Sequence, residues 1–92
     1  MQLARFLNNV FKKDGFILES AYAKNYIIGS PKSDKPIKLK ILDKKLHYKL
    51  LFHPDLYFGE AYTNGDIVIE NGSLSDFLDL ALMNFGRNDL NL

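Results

Sequence analysis

Cysteine is absent from this chain. That excludes a disulfide framework, a thiolate metal site and a cysteine nucleophile. It fits a reducing, intracellular compartment. No sign of charge dominates: 12 basic residues stand against 11 acidic ones. Nucleic acid or anionic lipid therefore draws no long-range attraction from the total charge. Arginine is scarce, with only Arg5 and Arg87. Arginines interleaved with base-stacking aromatics are missing, which argues against nucleic acid as a partner. No run approaches the roughly 18 apolar residues of a spanning helix. The N-terminal stretch MQLARFLNNVFKKDG lacks the apolar core and small-residue cleavage site of a secretory signal. Glycines stand singly at turns, not in the close spacing that cradles phosphates or dinucleotides.

What is present suits one domain over residues 1–86, with 87–92 as a tail or the start of a linker. A 92-residue chain buries roughly 60–65% of the surface it exposes when unfolded. That allows one core but not a core plus a large internal active site. Leu3, Phe6, Leu7, Val10 and Phe11 share one helical face, and the periodicity predicts a helix over Gln2–Asp14, with Lys12 and Lys13 in its last turn. Strands follow at Phe16–Leu18 and Tyr22–Ile28, then a Pro/Gly/Ser loop at Gly29–Pro36. Pro36–Leu42 alternates as a half-buried strand, with Lys38 and Lys40 on its wet side.

Asp43 is a good N-cap for a helix to about His53. Pro54 ends that helix and starts another, which runs to Asn64-Gly65. Asp66–Glu70 is a strand, and Ser73–Asp76 a capping box for a last helix ending at Phe85-Gly86. The order is α-β-β-β-α-α-β-α. That describes an α+β domain: a small, mainly antiparallel sheet of about four strands with helices on one face.

The chain offers little that could carry catalytic chemistry. His47 and His53 have no third ligand at a metal spacing and are expected to be surface or helix-end imidazoles. The serines sit at turns and caps, where their hydroxyls serve the backbone. Glu60, among Tyr57, Phe58 and Tyr62 and within possible reach of Asp66 at the start of the next strand, has two readings. It is an acid with its pKa raised by desolvation, or a carboxylate that caps backbone groups or pairs with a lysine. Lys32, Lys35, Lys38, Lys40, Lys44, Lys45 and Lys49 crowd between residues 32 and 49. They are a solvated face, or a lipid-facing patch in which Lys38, Lys40, Lys44, Lys45 and Lys49 meet anionic headgroups. No catalytic, cofactor-binding or metal-binding residue is assigned.

The richest stretch is Leu56–Glu70, LYFGEAYTNGDIVIE. With its flanks, the run IKLKILDKKLHYKLLFHPDLYFGEAYTNGDIVIENGSLSDFLDLAL resembles the N-terminal domain of cyclopropane-fatty-acyl-phospholipid synthases and their mycolic-acid relatives. The resemblance covers about half the chain. It centres on Phe58-Gly59-Glu60-Ala61-Tyr62-Thr63-Asn64-Gly65-Asp66, which follows the family pattern G-L/F-G-E-A/S-Y-x-x-G from its second position on. Leu42-Asp43-Lys44 departs from it by lacking the proline that usually follows the acid.

The resemblance implies a non-catalytic accessory domain of an S-adenosylmethionine-dependent methyltransferase, which transfers a methylene carbon to a phospholipid acyl chain. The cofactor and the catalytic residues would belong to a downstream methyltransferase domain. It further implies that Phe58, Gly59, Glu60, Tyr62, Gly65 and Asp66 form the contact with that domain. The parent enzyme would be cytoplasmic and peripheral at the inner membrane. Two other functions fit the composition: a homodimerising module, and a binder of a small apolar ligand such as an acyl chain. The latter needs a cavity of at least several hundred Å3, which a domain this small holds with difficulty.

Overall fold

In a computed structural model, residues 1–85 are described; the expected tail at 87–92 lies outside them. The first helix, α1 (Gln2–Val10), lays Leu3 and Ala4 into the core. It stops four residues before the expected end, so Lys12 and Lys13 lie beyond its last turn. The reason is Phe11. Its backbone turns extended (φ −82°, ψ 90°) while its N–H still bonds the Leu7 carbonyl. The ring, 2% exposed, drops into the core against Phe16, 5.0 Å away. Burying an aromatic ring outweighs one more turn of a short exposed helix. Asp14 then takes a left-handed φ of 65° and reverses the chain, its carboxylate accepting N–H groups of Gly15 and Lys32.

Strand β1 (Gly15–Glu19) pairs antiparallel with β2 (Asn25–Gly29). β2 begins three residues later than the alternation suggests. Ser20, nearly buried, accepts the N–H groups of Tyr22 and Lys24 on its hydroxyl. This ties 20–24 into a turn and lifts the Tyr22 side chain into solvent. The 30–37 loop then carries the chain across β1. As a result β3 (Lys38–Ile41) runs parallel to β1, with Leu18 beside Leu39. β4 (Ile67–Glu70) pairs antiparallel with β3. The strand order is β2-β1-β3-β4. The sheet is therefore mixed, with two of its three pairings antiparallel.

α2 (Leu46–Phe52), α3 (Pro54–Asn64) and α4 (Leu74–Asn84) complete the order α-β-β-β-α-α-β-α of an α+β fold. Asp43 lies two residues ahead of the α2 N-cap, with its carboxylate on the Lys45 N–H. Gly65, at φ 81°, closes α3. Its N–H bonds the Tyr62 carbonyl and the Asp66 N–H bonds that of Ala61, the paired bonds of a Schellman motif. Ser73 and Asp76 form the expected capping box.

The buried strand residues Phe16, Leu18, Ile28, Leu39, Ile41 and Ile67 form one face, and the helices cover it. Phe16 is fully buried and meets Phe11 and Phe77 edge to face at 5.0 and 5.1 Å. Asn84, at the end of α4, clasps the segment that leaves α1: its side-chain amide both accepts from and donates to the Lys13 backbone at 2.7 Å.

Phe16→Ala is expected to cost about 3–5 kcal/mol. That is a large share of the roughly 5–14 kcal/mol a chain this long can hold. A urea titration followed by circular dichroism checks it.

Candidate docking surface

α3 owes its start to Pro54, which occupies the first turn, and its end to Gly65. Between them only Ala61 is fully buried, while Tyr57 and Phe58 are half-buried. Leu56, Gly59, Glu60 and Thr63 follow the i, i+3, i+4, i+7 spacing of one helix face, and all four are exposed. Leu56 is 60% exposed and Tyr62 39%.

The structure thus divides the six candidate contact residues. Gly59, Glu60 and Tyr62 face solvent, and Gly65 is exposed at the helix end. Phe58 points the other way and stacks on Phe77 at 5.3 Å. Asp66 is half-buried and serves the backbone, its N–H in the helix cap and its carbonyl accepting from Leu42. Glu60 stands in solvent rather than among the rings of Tyr57, Phe58 and Tyr62, and has no ion pair among the described residues.

Gly59 is the anomaly. Glycine inside a helix costs about 1 kcal/mol relative to alanine. A Cβ built at Gly59 meets nothing within 4 Å. The fold gains nothing from this glycine, unlike Gly15, where a Cβ would strike the Ile28 carbonyl.

The lysines fall into two groups. Lys38 and Lys40 project from the sheet face away from the helices. There Glu19 lies 3.2 Å from Lys38 and 3.9 Å from Lys40, and Glu70 lies 3.9 Å from Lys40. Lys44, Lys45 and Lys49 belong to α2 and the turn before it. Lys45, Tyr48, Lys49 and Phe52 are all exposed and again follow i, i+3, i+4, i+7. This stripe carries two cations and two aromatic rings, the last 69% exposed. Lys44 and Lys49 also lie over aromatic faces, those of Tyr22 and Tyr57, at 4.8 and 5.3 Å from the ring centres.

His47 is a correction. It is 8% exposed, not a surface imidazole. Its Nε2 accepts the Ala21 N–H at 3.1 Å, and its ring stacks with Tyr22. No local spacing signals this burial, because the partner lies 26 residues away, across a turn whose position depends on Ser20. His53, by contrast, is exposed at the α2–α3 junction, as expected. Among the described residues no three His, Asp or Glu side chains gather as metal ligands do. No helix there is long and apolar enough to cross a membrane. Compared with known proteins, the chain matches no family model and no curated protein.

Burial holds the His47 pKa below the ordinary imidazole value, and Asp43 partly offsets this. The folded state therefore favours neutral His47. Between the unfolded value of about 6.5 and the lower folded one, the unfolded chain binds more protons, so stability falls as pH drops through that window and is fully present above it. His47→Gln, which keeps an acceptor for Ala21 but does not titrate, should flatten this part of the profile. Urea midpoints between about pH 7.5 and about pH 5 test it.

Proposed function

We propose that this chain is the non-catalytic N-terminal domain of a cyclopropane-fatty-acyl-phospholipid-synthase-like methyltransferase. It docks against the downstream catalytic domain and helps bring that enzyme to phospholipid. S-adenosylmethionine belongs to the catalytic domain, and the parent enzyme works in the cytoplasm, peripheral to the inner membrane. The observation that carries the docking half is Gly59: a helix-weakening residue on an exposed face, with no intramolecular reason for it. A glycine there removes a side chain from the path of an approaching backbone. The neighbours suit a contact surface. Leu56 supplies an apolar knob, and Glu60 and Tyr62 supply hydrogen-bonding groups that a partner can engage.

The lipid half rests on α2. Lysines alternating with exposed aromatics on one face are the pattern of an interfacial helix, with rings at headgroup depth and cations against anionic lipid. Lys38 and Lys40 contribute less, because Glu19 and Glu70 already neutralise much of their charge.

Reading the gene past the Leu92 codon should reveal a glycine-rich methyltransferase loop in the same frame. In that enzyme Gly59→Ala should lower turnover about fivefold or more, the effect of a packed interface position worth at least ~1 kcal/mol. The same change should stabilise the isolated 92-residue chain by up to about 1 kcal/mol. Unchanged turnover beside that gain refutes docking through this face. Separately, the chain should float with vesicles containing phosphatidylglycerol but not with pure phosphatidylcholine. Lys45→Glu with Lys49→Glu should remove more of that binding than Lys38→Glu with Lys40→Glu, each α2 lysine contributing about 1 kcal/mol. Equal losses from the two pairs exclude α2 as the lipid-facing element.

A further inference from the structure

The helices do not fill the space above the sheet. A half-open cavity of about 190 Å3 remains there, bounded by α1, the sheet, the α2–α3 junction and α4. Its floor is Phe16, Leu18 and Leu39, and its walls include Leu7, Phe58 and Ala81. Among the described lining residues only Asp55 carries a charged or polar side chain. Leu78 and Leu82, one turn apart on α4, line the cavity while 41% and 67% exposed, so they mark its mouth. Asp55, in the first turn of α3, also lines it and is exposed.

The volume decides the class of occupant. Drug-sized ligands need about 300–1,000 Å3. An apolar cavity of about 150 Å3 stays dry and admits benzene. A space between these limits, walled by carbon, takes a segment of roughly six to eight aliphatic carbons. It cannot enclose a whole phospholipid. No hydrogen-bonding group in the walls stands ready to hold water, so the cavity gains by filling with carbon. The carboxylate at the rim then acts on whatever the chain carries at its outer end. It repels an anion, tolerates a neutral group and attracts a cation.

We propose that this cavity binds the end of a single aliphatic chain and that Asp55 at its rim makes the site prefer esterified or amine-headed chains over free fatty acids. It rests on the phospholipid reading above only for its setting. Gly59 does not line the cavity, so failure of one leaves the other standing.

The test is an amide NMR titration of the full chain with three eight-carbon probes, each below its micellar concentration: octylammonium, octanol and octanoate. Saturable shifts centred on Leu7, Phe58 and Ala81 are expected with octylammonium and octanol. Octanoate should bind more weakly than octylammonium by about fivefold, the upper range for one exposed charge pair. Asp55→Asn should bring those two probes within about twofold of each other, and Ala81→Leu, which fills the cavity, should weaken all three. Should Ala81→Leu fail to fold, the Asp55→Asn comparison still decides. The proposal is overturned by the absence of saturable shifts at the lining residues with every probe. It is equally overturned if octanoate binds as tightly as octylammonium, or if the preference survives Asp55→Asn.

Discussion

Four phenylalanine rings hold the described part of this molecule together. Phe11 meets Phe16 at 5.0 Å, Phe16 meets Phe77 at 5.1 Å, and Phe77 meets Phe58 at 5.3 Å. Each ring comes from a different element: the chain leaving α1, strand β1, α4 and α3. The first two contacts are edge to face and the last is stacked, geometries that the ring quadrupole favours over a face-to-face sandwich. This relay fixes the position of three helical segments on the sheet. It also explains why α1 ends early, since Phe11 can join it only by leaving the helix.

Anchoring α3 by Phe58, Tyr57 and Ala61 determines what the helix shows to solvent. Phe58 turned inward puts Leu56, Gly59, Glu60 and Thr63 on the outer face. In the same way Leu46, His47 and Leu50, buried on α2, leave Lys45, Tyr48, Lys49 and Phe52 outside. Both candidate surfaces are thus consequences of core packing, and neither forms part of the core. The large rings also leave space where they meet. Phenylalanines joined through their edges and faces do not close over the centre of a four-stranded sheet, and the cavity beneath α4 is the remainder.

The sheet's outer face follows a different logic. Glu19 sits between Lys38 and Lys40, and Glu70 pairs with Lys40, so this face is a screened charge lattice. Exposed pairs of this kind contribute little stability, about 0–1 kcal/mol each. Their effect is to remove Lys38 and Lys40 from the free cations that crowd together in the sequence.

Periodicity, proline and cap chemistry by themselves determined the number, type and order of the elements. Those signals are local: Pro54 must begin a helix or break one, Gly65 must end α3 with positive φ, and Ser73 with Asp76 must cap α4. Local signals also marked Leu56–Glu70 as the richest stretch. Only the tertiary structure decided which side each residue of that stretch takes, because Phe58 is recruited by Phe77, nineteen positions away. It likewise decided that β3 lies parallel to β1, since strand direction depends on where the 30–37 loop lands. It buried His47 against a turn and paired the sheet lysines, since these contacts join residues far apart in the chain, where no spacing rule reaches.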